Sequence, residues 1–218
     1  MLESFVNIHV RSGDLNRVVQ SAARLTHGMS FISPPLNGWI TIYDEMVEKD
    51  DDLAIEDYAR ELSTDLQTHL FVFRVVRNQL FIYYLFENGA MIDEFVQNTF
   101  FASENDDGAH RLRGTPALIR QFCPTERSLE EVQTALGWIE PTGDGKFATG
   151  TLGEERLSRV AELLRIDKAR SRIGFHDFLS VREGVSGSDQ FIQLGTSSTL
   201  RRRPVLNKGR IPPKIPPR

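Results

Sequence analysis

The chain has 218 residues, 40% of them hydrophobic, with 26 Lys and Arg against 30 Asp and Glu and a single cysteine, Cys123. That apolar share supports a packed core for one domain or one and a half. No run approaches the roughly 20 apolar residues of a membrane span, and a lone thiol excludes an intrachain disulfide framework or a cysteine-based zinc site. The charge is lopsided: residues 201–218 hold seven cations and no acid, leaving 19 basic against 30 acidic residues, a net −11, on the rest. Such a body is poorly suited to wrapping nucleic acid, although its tail has the sign for an anionic partner. The first residues lack a basic flank and an apolar run, so no signal peptide is expected and the cytoplasm is the expected compartment.

Residues 5–10 (FVNIHV) have strand composition, and residues 14–25 follow with apolar side chains at 15, 18, 19, 22 and 25, the spacing of one helical face. Ser12 or Asp14 fits its N-cap. Residues 29–33 and 39–43 (WITIY) read as two further strands, separated by Pro34-Pro35, and residues 53–66 as a second amphipathic helix. Residues 69–96 then read as three antiparallel strands. Asn88-Gly89 supplies the positive φ angles of a two-residue hairpin turn, and Arg77-Asn78 is taken as the turn before it. Those two turns pair Phe73 with Ile82, Leu85 with Ile92 and Tyr83 with Glu94. Strand alternation then puts Phe71, Phe73, Val75, Leu80, Ile82, Tyr84, Phe86, Met91 and Phe95 on a core face, with Asp93 its only charge.

The order βαββαβ with two added strands predicts an α+β protein: a ferredoxin-like sandwich, both helices behind an antiparallel sheet, with a helical C-terminal segment. Val6, Ile8, Val10, Ile40 and Ile42 are expected to face those helices. Phe5, Asn7, His9, Trp39, Thr41, Tyr43, Arg74, Tyr83 and Glu94 gather on the opposite side. Two readings of that side stand. It packs under the C-terminal helices, as its apolar content favours, or Trp39, Tyr43, His9, Arg74, Tyr83 and Glu94 form a binding face. The functional assignment rests on the second, on the acidic edge over residues 44–57, or on both.

Residues 98–114 read as a loop. Thr115-Pro116 opens a short helix to about Phe122. Capping boxes at Ser128 to Glu131 and Thr151 to Glu154 launch helices near 129–137 and 153–166, and residues 173–181 form a last apolar element. The domain map is therefore a sheet domain over 1–97, a loop over 98–114, a helical segment over 115–182, and a disordered Gly/Ser then Pro/basic tail over 183–218.

Little in the chain points to chemistry. The acidic run Asp44, Glu45, Glu48, Asp50 to Asp52, Glu56, Asp57 lacks the alternation and glycine of a calcium loop. His9, His27, His69, His110 and His176 show no metal-ligand spacing, Cys123 has no neighbouring base, and GxSxG, GxGxxG, HExxH and Walker motifs are missing. No catalytic residue, cofactor or metal is expected. The tail's Pro213, Pro216 and Arg218 fit a polyproline ligand for an SH3-type groove.

The segments Gly38 to Glu45 (GWITIYDE) and Tyr83 to Gly89 (YYLFENG), with Asp93-Glu94 after the hairpin and a late helix from Glu155 to Ile166, resemble a family of uncharacterised bacterial proteins carrying GWxxxYDE and YxLxxNG motifs. The resemblance spans roughly residues 5–180 and implies one evolutionary unit in a bacterial cytoplasm, with no known activity. The expected function is non-catalytic binding, as an interaction or regulatory protein with a protein partner. The alternatives are an enzyme with a pocket between the sheet and the C-terminal helices, and a nucleic-acid binder acting through its tail.

Overall fold

The computed structural model describes residues 4–49, 52–97, 114–137, 152–181 and 187–196. Within them lies a mixed α/β fold around one seven-stranded antiparallel sheet, in the order β6-β5-β4-β1-β3-β2-β7. The strands are β1 (Phe5–Arg11), β2 (Ser30–Ile32), β3 (Trp39–Asp44), β4 (His69–Val76), β5 (Leu80–Glu87), β6 (Ala90–Val96) and β7 (Ile192–Leu194).

Helix α1 (Leu15–Leu25) starts at Asp14, whose carboxylate accepts the Arg17 N–H. After β3 come α2 (Glu45–Lys49) and α3 (Asp52–Leu66). Val18 and Ala22 of α1 and Ile55, Ala59, Leu62 and Leu66 of α3 share one core with Val6, Ile8, Val10, Ile40 and Ile42. Both long early helices therefore lie on one side of the sheet, as their apolar stripes predict. Alpha2 was not foreseen.

The strand faces correct the expected register. The Asn88-Gly89 turn forms as read, with φ of 48° and 85°, and Glu87 faces Ala90. The turn before it is one residue longer: Gln79 joins Arg77 and Asn78, so Val76 faces Leu80 and Phe73 faces Tyr83. A bulge between Leu85 and Phe86 then sets Leu85 against Asp93 and Tyr83 against Phe95. A one-residue slip exchanges the faces of a strand. Phe71, Phe73 and Val75 thus share a side with Phe81, Tyr83 and Leu85, while Leu80, Ile82, Tyr84, Phe86 and Met91 turn toward α1 and α3.

Both sides of the sheet are core. The front is covered by α4 (Pro116–Ile119), α5 (Leu129–Ala135), α6 (Gly153–Leu163), α7 (Lys168–Ser171) and α8 (Phe175–Val181). Ile119, Val132, Leu157, Val160 and Ala161 from this layer meet Trp39, Phe71, Phe73 and Tyr83 in one cluster. Alpha5 begins with the predicted capping box, Ser128 with Glu131. Alpha6 instead has Leu152 as N-cap, and Thr151 lies outside the described residues. Most of the segment expected to be a loop, 98–113, also lies outside them.

Beta7 corrects the expectation of a disordered tail from residue 183. A 3-10 turn (Ser188–Gln190) leads into it, and it pairs antiparallel with β2.

Alpha6 seats on the β4–β5 turn through Gly153, whose N–H donates to the Asn78 carbonyl at 3.1 Å. A Cβ there would lie 2.8–2.9 Å from the Gln79 and Leu80 backbone, which cannot yield as a side chain tip can. Gly153→Ala is expected to lower the unfolding free energy by about 1–3 kcal/mol, measured by urea denaturation.

Candidate functional site

The six residues assigned to a binding face do not form one. Arg74 and Glu94 lie opposite Ile82 and Tyr84, on the side of α1 and α3. The longer turn moved Arg74, and the bulge moved Glu94. The other four, His9, Trp39, Tyr43 and Tyr83, do share the front, but each is at most 1% exposed.

What those front residues do is visible in their hydrogen bonds. The last carbonyls of a helix lack intrahelical donors. The Trp39 indole N–H donates to the Leu164 carbonyl, at the end of α6, at 2.8 Å. The Tyr43 hydroxyl donates to the Arg170 carbonyl at 2.8 Å, and the Asn7 amide donates to the carbonyls of Ser171 and Ile173 at 2.8 and 2.9 Å. A row of strand side chains thus caps the ends of α6 and α7. These polar groups on apolar strands are donors for the chain's own C-terminal layer.

Tyr83 serves the same layer indirectly. Its hydroxyl donates to Asp93 at 2.7 Å, and the same carboxylate oxygen accepts the Thr115 N–H at 3.1 Å, anchoring the start of α4. Burial, then the Asp93 charge, raises the Tyr83 phenol well above its usual range.

Between β1, β3 and α7 lies a closed polar cluster. His9 Nδ1 and Thr41 Oγ1 share a hydrogen bond of 3.1 Å, and the Phe73 ring lies 4.8 Å from the imidazole. Among the described residues, His9 Nε2 and Asn7 Oδ1 are buried without a hydrogen-bond partner. Desolvation first, and then the Arg170 charge, pushes His9 down to about 3, so the ring is neutral at physiological pH. Arg170 is 5% exposed and donates to Ser33 Oγ at 3.1 Å and to the Pro34 carbonyl at 2.7 Å. The cluster holds an uncharged imidazole under a closed roof.

Three residues of the acidic run, Asp44, Glu45 and Glu48, are internal wiring. Asp44 accepts the hydroxyls of Thr26 and Ser30 through one oxygen and caps α2 at Met46 and Val47 through the other. Glu45 is fully buried, accepts the Met29 N–H and pairs with Lys49 at 2.6 Å. Glu48 accepts the N–H groups of Phe175 and His176, tying α2 to the start of α8. Burial, the largest influence, pushes Glu48 up to about 7 against those donors. Asp50 and Asp51 lie outside the described residues.

Cys123 is buried, and desolvation pushes its thiol up to about 11, which removes the thiolate a nucleophile needs. Among the described residues no group of three His, Cys, Asp or Glu side chains is placed to hold a metal ion.

An open feature of the described surface is a groove of about 450 Å³ between α5 and α6. Glu130, Glu131, Glu162 and Arg159 line it, with Ala135 and Leu163 among its walls. Glu131 and Glu162 both reach Arg127, at 2.9 and 3.3 Å, outside the groove lining. The sequence reading missed this groove because it depends on how two helices pack. It missed Arg170 because nothing in KARSR marks one arginine as buried. Pro213, Pro216 and Arg218 lie outside the described residues.

No helix among the described residues is long and apolar enough to cross a membrane. No family model, curated protein or solved structure matches this chain.

Proposed function

We propose that this chain is a non-catalytic binding protein, built on a ferredoxin-like βαββαβ unit extended at both sheet edges and acting as an interaction or regulatory protein in the cytoplasm. The bacterial family suggested by its GWxxxYDE and YxLxxNG motifs belongs to the same proposal. The observation that carries it is the use of the front face. Its polar and aromatic groups cap the chain's own helices, so the place where the enzyme alternative would put a pocket is filled by packed side chains. One open feature of the described surface is the α5–α6 groove, where Glu130, Glu131 and Glu162 line the walls with Arg159, while Arg127 outside the lining pairs with Glu131 and Glu162, and this acidic rim suits a cationic side chain of a protein partner.

The test is affinity purification from the native host with the full chain, with Glu130→Lys/Glu162→Lys, and with residues 201–218 deleted. The expected result is one protein partner that survives tail deletion and is bound roughly tenfold more weakly by the charge-reversed variant. Nucleic acid as the recovered partner, lost with the tail and falling steeply with salt, would instead establish the tail-driven reading.

A further inference from the structure

The far edge of the sheet carries a segment that behaves as a ligand of the rest. Beta7 adds to β2 through three residue pairs, Ile32 with Ile192, Phe31 with Gln193 and Ser30 with Leu194. Just before it, Phe191 is 5% exposed and enters a ring cluster with Met29, Phe31, Tyr43, Phe175 and Phe178. Its ring stacks on Phe178 at 4.8 Å and lies parallel to Tyr43 at 6.1 Å, with the Arg170 guanidinium 5.4 Å from its centroid. A cation over the ring favours an aromatic occupant over an aliphatic one. Alternation then turns Ile192 and Leu194 to the other side, where Leu194 joins the core shared with α1 and α3, and leaves Gln193 exposed. Gly195 follows at φ +65°, so close to the Gly28 carbonyl that no Cβ fits.

Together these features define what the edge accepts: an extended strand reading aromatic, aliphatic, any residue, aliphatic, glycine. Main-chain pairing supplies part of the affinity, and the ring box and the glycine contact supply the selectivity. The β2–β7 ladder, with β2–β3, is the shortest in the sheet, against eight pairs between β4 and β5. Short edge ladders are where local opening concentrates.

We propose that the β2 edge and its ring box are a docking site for an extended protein segment of this pattern, and that residues 191–195 are a built-in competitor holding the site until such a partner displaces them. The proposal concerns a surface separate from the α5–α6 groove and stands without it. The closed form lowers the partner's apparent affinity by the fraction of molecules that are open.

The probe is a fluorescein-labelled peptide with the sequence of residues 188–196, titrated by anisotropy into the full chain. Phe191→Ala weakens the internal competitor and is expected to bind the probe about tenfold more tightly than the wild type. A probe with alanine in place of its phenylalanine should bind neither. Gly195→Val, which leaves the ring box intact, should show the same gain if Phe191→Ala fails to fold. In the unaltered protein, hydrogen exchange at residues 192–194 should run at least about a hundredfold faster than at β4 and β5. The proposal is overturned if a folded variant binds the probe no better than the wild type, or if β7 amides exchange only with global unfolding. A concentration-dependent dimer in which each copy's strand occupies the other's edge would also overturn it, because the site would then serve exchange between copies.

Discussion

Trp39→Ala is expected to lower the unfolding free energy by about 3–5 kcal/mol, the cost of emptying a large aromatic site in a packed core. The indole is 1% exposed, meets Phe71 edge-on at 5.8 Å and donates to the Leu164 carbonyl. Removing it leaves a cavity between sheet and α6 and a helix-end carbonyl without its donor. Trp39→Phe should recover most of the ring packing and lose chiefly the hydrogen bond, leaving a buried carbonyl unsatisfied at about 1–3 kcal/mol. Urea denaturation of both variants measures the difference. A binding-face residue would behave oppositely, with partner affinity falling and stability unchanged. A Trp39→Ala protein as stable as the wild type would mean that the C-terminal layer does not rest on the sheet as described.

The contrast shows where sequence was informative. Period-two and period-3.6 patterns identify strands and helices locally, so β1, α1, α3 and the Asn88-Gly89 hairpin were legible, as was the side of the sheet on which α1 and α3 lie. Register was not. One extra residue, Gln79, and one bulge at Leu85/Phe86 exchanged the faces of Phe73 and Glu94, because both turn lengths are compatible with the same alternation. Beta7 was missed for a different reason. Four residues, FIQL, sit between a Gly/Ser run and a Pro/basic tail, and averaged composition describes such a stretch by its neighbours.

The front face also shows why polar residues on a strand are weak evidence of a binding surface. Asn7, Trp39 and Tyr43 present hydrogen-bond donors, and a donor row meets equally well a ligand or the unsatisfied carbonyl ends of helices. What decides between them is the position of α6 and α7, which are 110 or more residues away in sequence. Long-range packing of this kind leaves no local signal.

The second large effect is on pH dependence, where half-buried Glu48 and buried His9, on opposite sides of one balance, are expected to conceal each other. Glu48, pushed up to about 7, keeps its proton in the folded chain after an unfolded glutamate near 4.5 has lost it. The folded state then binds more protons between those values, so this group's contribution makes stability fall as pH rises from about 4.5 to 7 and level off above. His9, pushed down to about 3, is neutral in the folded chain while an unfolded histidine near 6.5 still holds its proton. There the unfolded state binds more protons, and stability rises with pH between about 3 and 6.5. Over pH 4.5–6.5 the two slopes have opposite sign and similar size. Each single replacement should unmask the other group. In chemical denaturation from pH 4 to 8, Glu48→Gln should show stability climbing more steeply than the wild type up to pH 6.5, and His9→Gln should show it declining relative to the wild type over the same range. The Glu48 difference amounts to at most about 3 kcal/mol across its window, with solvent screening reducing it. Lys49 and Asp177 act on Glu48 with opposite sign and do not reverse the direction, since burial is the largest influence. If Glu48→Gln runs parallel to the wild type at every pH, the glutamate is solvated and its bridge from α2 to the Phe175 and His176 amides does not hold α8 in place.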